Sequence, residues 1–261
     1  MKLGMNFYSY GYSDKLSEEQ IVGLLQENGF EAAFICNEAP NFDHAVDLLH
    51  KAGITIDTIH APFQNINSIW LPGEEGDEVL RRLTASFEAA AQHNIPVVVV
   101  HMSSGFHPPM ISDIGNERYR RLMETADRLG VIPAIENIRV LANVALMFER
   151  YENARFCWDT GHEACYTPNC EFMPLFGDKL VALHIHDNDC VRDHDLHMLP
   201  YDGNMNFDTV ARHIAKSGFR GTLMMELDGR SDFYSQTTPE EFYRRAAQSG
   251  RRLAAAIESY R

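Results

Sequence analysis

"RFCWDTGH", residues 155–162, is an apolar run that ends in Asp159 and is followed by His162 three residues later. A carboxylate and an imidazole at the exit of a buried strand need a reason, because ionisable side chains are rarely buried without partners. The same construction recurs along the chain. Short apolar runs stand at residues 3–7, 32–36, 54–62, 96–103, 132–137, 155–162, 180–187 and 221–228. Each of the first seven is followed by a segment of helical periodicity, such as "DEVLRRLTASFEAAAQHN", and the eighth by "TPEEFYRRAAQSGRRLAAAIESYR". Helical segments stop at Gly29, Gly53, Asn94, Gly130 and Gly218, residue types suited to the left-handed turn that closes a helix. Eight continuous apolar strands alternating with helices predict parallel strands covered on both faces. The closed solution is a (β/α)8 TIM barrel of the α/β class, one domain over residues 1–261. A doubly wound open sheet would want a glycine-rich phosphate loop after its first strand, and "NFYSYGYSDK" is not one.

The composition suits such a core: 261 residues, 45% hydrophobic and 23% charged. Against 23 Lys and Arg stand 37 Asp and Glu, a net charge of −14 that repels polyanions and argues against nucleic acid or an anionic membrane as partner. Arg118, Arg120 and Arg121 read as the solvated face of a helix. Cys36, Cys157, Cys165, Cys170 and Cys190 are odd in number and contain no CxxC, so a reducing compartment fits better than a disulfide framework. "MKLGMNFYSYGYSD" lacks the apolar core of a signal peptide. No apolar run approaches the roughly 18 residues of a membrane span. These features together predict a cytoplasmic protein.

In a barrel the chemistry collects at the C-terminal ends of the strands. Here those ends carry His60, His101, Glu136, Asp159 with His162 just beyond, then His184, His186 and Asp187, and finally Glu226. The loop after the seventh strand adds Asp193, His194, Asp195 and His197. One such residue is ordinarily a hydrogen-bonded core group or a solvated loop residue; recurrence at one end of successive strands is not. Converging carboxylates push one another's pKa upward unless a cation neutralises them, so the pattern predicts a divalent metal. Glu136, Asp159, His184 and Glu226 offer three carboxylates and one imidazole, a set suited to Mn²⁺, Mg²⁺ or Co²⁺. The additional His60, His101, His162 and His197 suit Zn²⁺ or further ions. Phe7, Tyr10, Phe63, Phe106 and Trp158 could offer flat apolar faces to a ligand or simply pack.

The motifs "HAPF", "VVVVHMSSG", "AIENIR", "WDTGHE", "HIHDND", "DLHMLPYDG" and "LMMELDG", in this order, resemble the xylose-isomerase-like barrel superfamily across nearly the whole chain. That group includes sugar phosphate isomerases and epimerases, ketose 3-epimerases, inosose dehydratases and endonuclease IV of the AP endonuclease family 2. The resemblance implies one ion held by Glu136, Asp159, His184 and Glu226, with Glu136 and Glu226 as catalytic residues exchanging the substrate proton on opposite faces of a sugar. It implies substrate contacts from His162, His60, His101 and Arg192. The implied reaction is isomerisation or epimerisation of a small-molecule sugar, sugar phosphate or polyol, by proton abstraction next to a carbonyl through a cis-enediolate that the ion stabilises. Relatives are often homo-oligomers. A dehydratase of the inosose or dehydroshikimate kind would use the same chemistry and then expel a hydroxyl.

The endonuclease IV branch is similar in a different way. Its cluster of three zinc ions implies further metal positions at His60, His101, His162, Asp195 and His197, and phosphoester hydrolysis as the alternative. The strand-end loops "PGEEGDE", "NDCVRDHD" and "ELDGRSD" are acidic with isolated Arg residues, which is not the surface of a nucleic-acid groove.

Overall fold

The structure, a computed structural model, describes residues 1–9, 11–12, 15–230 and 232–261. The strands are β1 (Leu3–Asn6), β2 (Ala32–Cys36), β3 (Thr55–His60), β4 (Val97–Val100), β5 (Ile132–Glu136), β6 (Arg155–Asp159), β7 (Leu180–His184) and β8 (Leu223–Met225). The helices are α1 (Glu18–Glu27), α2 (Phe42–Lys51), α3 (Glu74–Gln92), α4 (Asp113–Leu129), α5 (Leu141–Arg150), α6 (Thr160–Tyr166), α7 (Met173–Phe176), α8 (Phe207–Ser217) and α9 (Pro239–Ser259). All strand pairings are parallel, in the order β7-β6-β5-β4-β3-β2-β1-β8. The two outer strands meet just past β7. Ile185 N donates to Met224 O at 2.9 Å and Glu226 N donates to Ile185 O at 3.1 Å, so the sheet closes into the expected (β/α)8 barrel.

Successive side chains on a strand point to opposite faces. Val97, Val99, Ala134, Cys157 and Ala182 form one cluster inside the barrel, and Ala32, Phe34 and Met224 a second. Their neighbours Val98, Val100, Ile135, Phe156, Trp158 and Leu183 point outward into the main core under the helices. Both faces are therefore apolar, which is why the strands read as unbroken runs. The next inward position after Ala134, Cys157, Ala182 and Met224 is occupied by Glu136, Asp159, His184 and Glu226. The apolar plug thus ends one inward step below a polar layer. A register shift between Phe156 and Cys157 sets Asp159 opposite His184.

The residues marked as helix stops take the left-handed backbone they were chosen for, from φ 56° at Asn94 to φ 74° at Gly29 and Gly218. Arg118 departs from the sequence reading. It is 2% exposed, while Arg120 and Arg121 are solvated. Its guanidinium donates to the carbonyls of Ile69 (2.9 Å), Leu71 (2.6 Å) and Gly73 (3.0 Å) and pairs with Asp77 at 2.9 Å. The irregular segment between β3 and α3 turns these carbonyls toward α4, and only a long cation with several donors reaches them all. Among the described residues no helix is long and apolar enough to cross a membrane.

Candidate active site

Glu136 is the hub. It is fully buried at the end of β5 and faces three imidazoles: His101 Nε2 at 2.7 Å and His60 Nε2 at 3.2 Å on Oε2, and His184 Nδ1 at 2.9 Å on Oε1. His184 Nδ1 also lies 3.0 Å from Glu226 Oε2. Donor atoms of Glu136, Asp159, His184 and Glu226 all lie within 4.8 Å of one another. Four further groups meet the same limit: His60–His101–Glu136, His60–His184–Glu226, Glu136–Cys157–His184 and His162–Asp195–His197. Every residue proposed from sequence as a metal ligand therefore falls into at least one of these groups, and Glu136 belongs to three of them.

The hydrogen bonds on the far side of each ring show what these groups are built to hold. His60 Nδ1 faces Ala61 O at 2.8 Å, His162 Nδ1 faces Asn137 O at 3.0 Å, and His197 Nδ1 faces Glu226 O at 3.1 Å. A carbonyl accepts, so each Nδ1 carries the proton. In the neutral ring the Nε2 lone pair then points at a carboxylate: Glu136 Oε2 for His60, and Asp195 Oδ2 at 3.2 Å and 3.3 Å for His162 and His197. Lone pairs aimed at anions repel unless a proton or a metal ion lies between them. The backbone clamp on the remote nitrogen is the arrangement that fixes an imidazole for ligation. Donors sharing one octahedral ion at about 2.1 Å stand about 3 Å apart, which is the spacing of His184 from its two carboxylates. The donor set thus fits divalent metal.

Electrostatics agree. Burial pushes Glu136 up, but His184 and His101 override it and hold it well below the usual carboxylate range. Glu226 and Asp195 are likewise held low against burial, chiefly by His184 and by His197. Burial pulls His197 down, yet Asp195 and Glu226 carry it up to about 10. His162 is raised by Asp159 and Asp195 against burial, while in His101 burial prevails and lowers it. The imidazoles held up in this way, His162, His184 and His197, are the ones packed against the carboxylates.

The supporting residues were less visible in sequence. Asp159 caps α6 by accepting from His162 N at 2.6 Å, which seats His162 beside it. Asn137 Nδ2 donates to Asp159 O, and Asp159 N donates to Asn137 Oδ1, both at 2.8 Å. His186 was noted on strand seven but given no role. Its Nε2 lies 3.0 and 3.2 Å from the two Asp159 oxygens, and its ring stacks on His197 at 4.0 Å. Its signal was the alternation in "HIHDND": the outward Ile185 separates two inward rings. Gly161 is needed for this ring. A Cβ there would lie 2.0 Å from His186 Cε1, so close packing accounts for the glycine. Asp187 turns to structure: it accepts from the backbone N–H of Asn188, Tyr201, Gly203 and Met205 at 2.8–3.1 Å and folds the long loop back on itself.

Beside Glu226 and His60 lies a cavity of about 340 Å³ whose walls include Tyr8, Phe34, Pro40 and Phe63. Of the aromatic residues singled out from sequence, Phe63 lines it and Phe106 lies partly exposed. Phe7 and Trp158 are buried in the outer core, because their positions point away from the barrel axis, and Tyr10 lies outside the described residues. Arg192 is exposed, its guanidinium carbon 4.6 Å from the Phe106 ring centroid. Asp193 is exposed beside Arg139, and His194 pairs at the surface with Asp189.

Fold and site together define a (β/α)8 barrel with a many-donor carboxylate–imidazole centre at its C-terminal mouth. Residues 14–253 match the family model described as xylose isomerase-like TIM barrel, and the chain belongs to that family. An uncharacterised protein of Sinorhizobium fredii is 32% identical over 120 residues, a stretch covering 45% of this chain and 37% of that one. D-psicose 3-epimerase of Clostridium cellulolyticum, solved with D-tagatose, superposes with a TM-score of 0.80 at 14% identity, covering 98% of this chain and 99% of that one. The IOLI protein with a bound zinc atom superposes with a TM-score of 0.74 at 17% identity, covering 100% and 99%.

Proposed function

We propose that this chain, read as one domain over residues 1–261, is a divalent-metal-dependent sugar isomerase or epimerase that moves a proton next to a carbonyl. The observation that carries the reading is the convergence of Glu136, Asp159, His184 and Glu226 beside a cavity of about 340 Å³ that Glu226 itself lines. The likeness to a solved epimerase and to a zinc-bearing neighbour supports it. A divalent ion bound by these four residues would polarise the sugar carbonyl and acidify the adjacent C–H. The protein's own carboxylates then divide the work. Glu226 is part-exposed (20% of its side chain) and faces the cavity, so it is placed to take and return the proton. Glu136 is fully buried and surrounded by His60, His101 and His184, so it serves first as a ligand. Proton return by Glu226 alone favours isomerisation on one face over exchange between two faces. The free cysteines suit a reducing compartment, and we place the protein in the cytoplasm.

The deciding experiment incubates metal-loaded protein with a panel of ketoses and aldoses in D₂O. Deuterium should enter at the carbon next to the carbonyl, and Glu226→Gln should slow this at least 100-fold while metal stays bound. Unchanged exchange in that variant refutes the role of Glu226. A second reading, zinc-dependent phosphoester hydrolysis, is favoured by one observation: the two flanking groups, His60–His101–Glu136 and His162–Asp195–His197, are also complete. Metal counting separates the readings, since three zinc ions per chain favour hydrolysis and one favours proton transfer.

A further inference from the structure

Two arginines 53 positions apart in sequence converge on one aromatic ring at the edge of the mouth. Arg139, just past β5, stacks its guanidinium carbon 3.6 Å from the Tyr166 ring centroid and 5.4 Å from that of Phe106. Arg192, in the loop after β7, lies over the same Phe106 ring at 4.6 Å. Tyr166 ties this pair to the candidate active site. Its hydroxyl donates to Asp195 Oδ2 at 3.0 Å, and its ring lies 5.1 Å from that of His162. A guanidinium stacked on a ring by its face keeps its edge N–H groups free to donate in the plane. Arg139 spends one of them on Asp193 Oδ1 at 3.2 Å, and Asp193 is itself 57% exposed. Among the described residues no carboxylate pairs with Arg192. A chain of net charge −14 therefore holds two donor forks against one aromatic ring, and among the described residues the acid paired with this couple is Asp193, which is exposed and bound to Arg139.

We infer that Arg139 and Arg192 form an anion subsite that grips a terminal phosphoryl group of the substrate. The inference rests on the sugar isomerase reading and narrows its substrate class to phosphorylated sugars. A carboxylate is satisfied by one fork, whereas a phosphoryl dianion offers three oxygens and can accept from two. The sugar chain would then lie across the mouth, its reacting carbons at Glu226 and its phosphoryl end on the rim, displacing Asp193 from Arg139.

The test titrates ribulose and its terminal phosphate monoester into the metal-loaded protein by calorimetry, and follows proton exchange in D₂O by NMR. The ester should bind about 10- to 100-fold more tightly than ribulose, the range for charge-assisted hydrogen bonds. In Arg139→Met/Arg192→Met that preference should collapse, and in Arg139→Lys/Arg192→Lys it should return in part. Should the methionine pair fail to fold, Arg192→Met alone decides, because Arg192 is exposed and its contact is with Phe106. Equal binding of both sugars by the wild type, or a preference that survives the substitutions, overturns the subsite. Tighter binding of a short DNA duplex than of the ester, lost in the variant, would reassign the rim to phosphodiesters and overturn the sugar phosphate assignment. Ester preference with no proton exchange on either sugar would leave the subsite standing and refute the isomerase reading.

Discussion

Gly161→Ala is a small change with a large expected effect. The new Cβ would sit 2.0 Å from Cε1 and 2.3 Å from Nδ1 of His186, far inside ordinary contact. The ring has little room to retreat. It is 0% exposed, its Nε2 lies 3.0 Å from Asp159 Oδ1, and its face stacks on His197 at 4.0 Å. Overpacking of this kind costs about 1–3 kcal/mol. In a chain of this length, about 2 kcal/mol corresponds to a melting temperature lower by about 4–8 °C. If the ring moves, Asp159 loses its partner and His197 its stacking surface, and loss of such supporting contacts weakens metal binding about 10- to 100-fold. Scanning calorimetry reads the first effect, and competition with a chromogenic zinc chelator the second. A double-mutant cycle isolates the clash: once His186→Ala has removed the ring, adding Gly161→Ala should cost nothing more. The reasoning fails if Gly161→Ala melts within about 1 °C of wild type with unchanged zinc affinity, or if its full cost persists in the His186→Ala background.

Arg118→Met should destabilise by about 3 kcal/mol by leaving the buried Ile69 carbonyl and the part-buried carbonyls of Leu71 and Gly73 without their donor, read as a fall in denaturation midpoint; an unchanged midpoint would mean that water replaces the guanidinium. With one ion on Glu136, Asp159, His184 and Glu226, Asp195→Asn should leave the number of ions per chain in elemental analysis unchanged, and a lower count than in wild type would show that the His162–Asp195–His197 group also holds metal. The pH dependence follows from His197, raised to about 10 by Asp195 against burial. A raised pKa means that the folded state holds the proton more tightly. In metal-free protein this contribution is complete below the ordinary value of about 6.5 and is lost as pH climbs through about 10. The melting temperature of chelator-treated protein should therefore fall across that window, and zinc binding should release protons within it. A flat profile, or zinc binding without proton release, would contradict the tautomer argument.

What the sequence made legible follows from burial on two faces. Strands β4 to β7 carry apolar residues both inside the barrel and under the helices, so Glu136, Asp159 and His184 stand out at their ends. Nine proposed donors fell into overlapping or adjoining groups because each was read at a strand exit or in the loop after β7. Other features depend on partners remote in sequence. Arg118 sits on an otherwise solvated helix, and nothing in α4 announces the carbonyls of residues 69–73. Nothing beside Gly161 in sequence gives its reason, which is the His186 ring 25 positions away. Nothing in sequence joins Arg139 to Arg192, because their common ring, Phe106, comes from the loop after β4.

The closure of the barrel has a mechanical side. Seven neighbouring strand pairs run as ladders, but β7 and β8 are clasped by the two backbone hydrogen bonds around Ile185. That clasp lies between His184 and Glu226, whose side chains meet at 3.0 Å. An ion shared by those two donors would rivet the hoop at its weakest link. Loading the centre and stiffening the barrel then become one event, and the amides of Ile185 and Glu226 are where slowed hydrogen exchange would register it first.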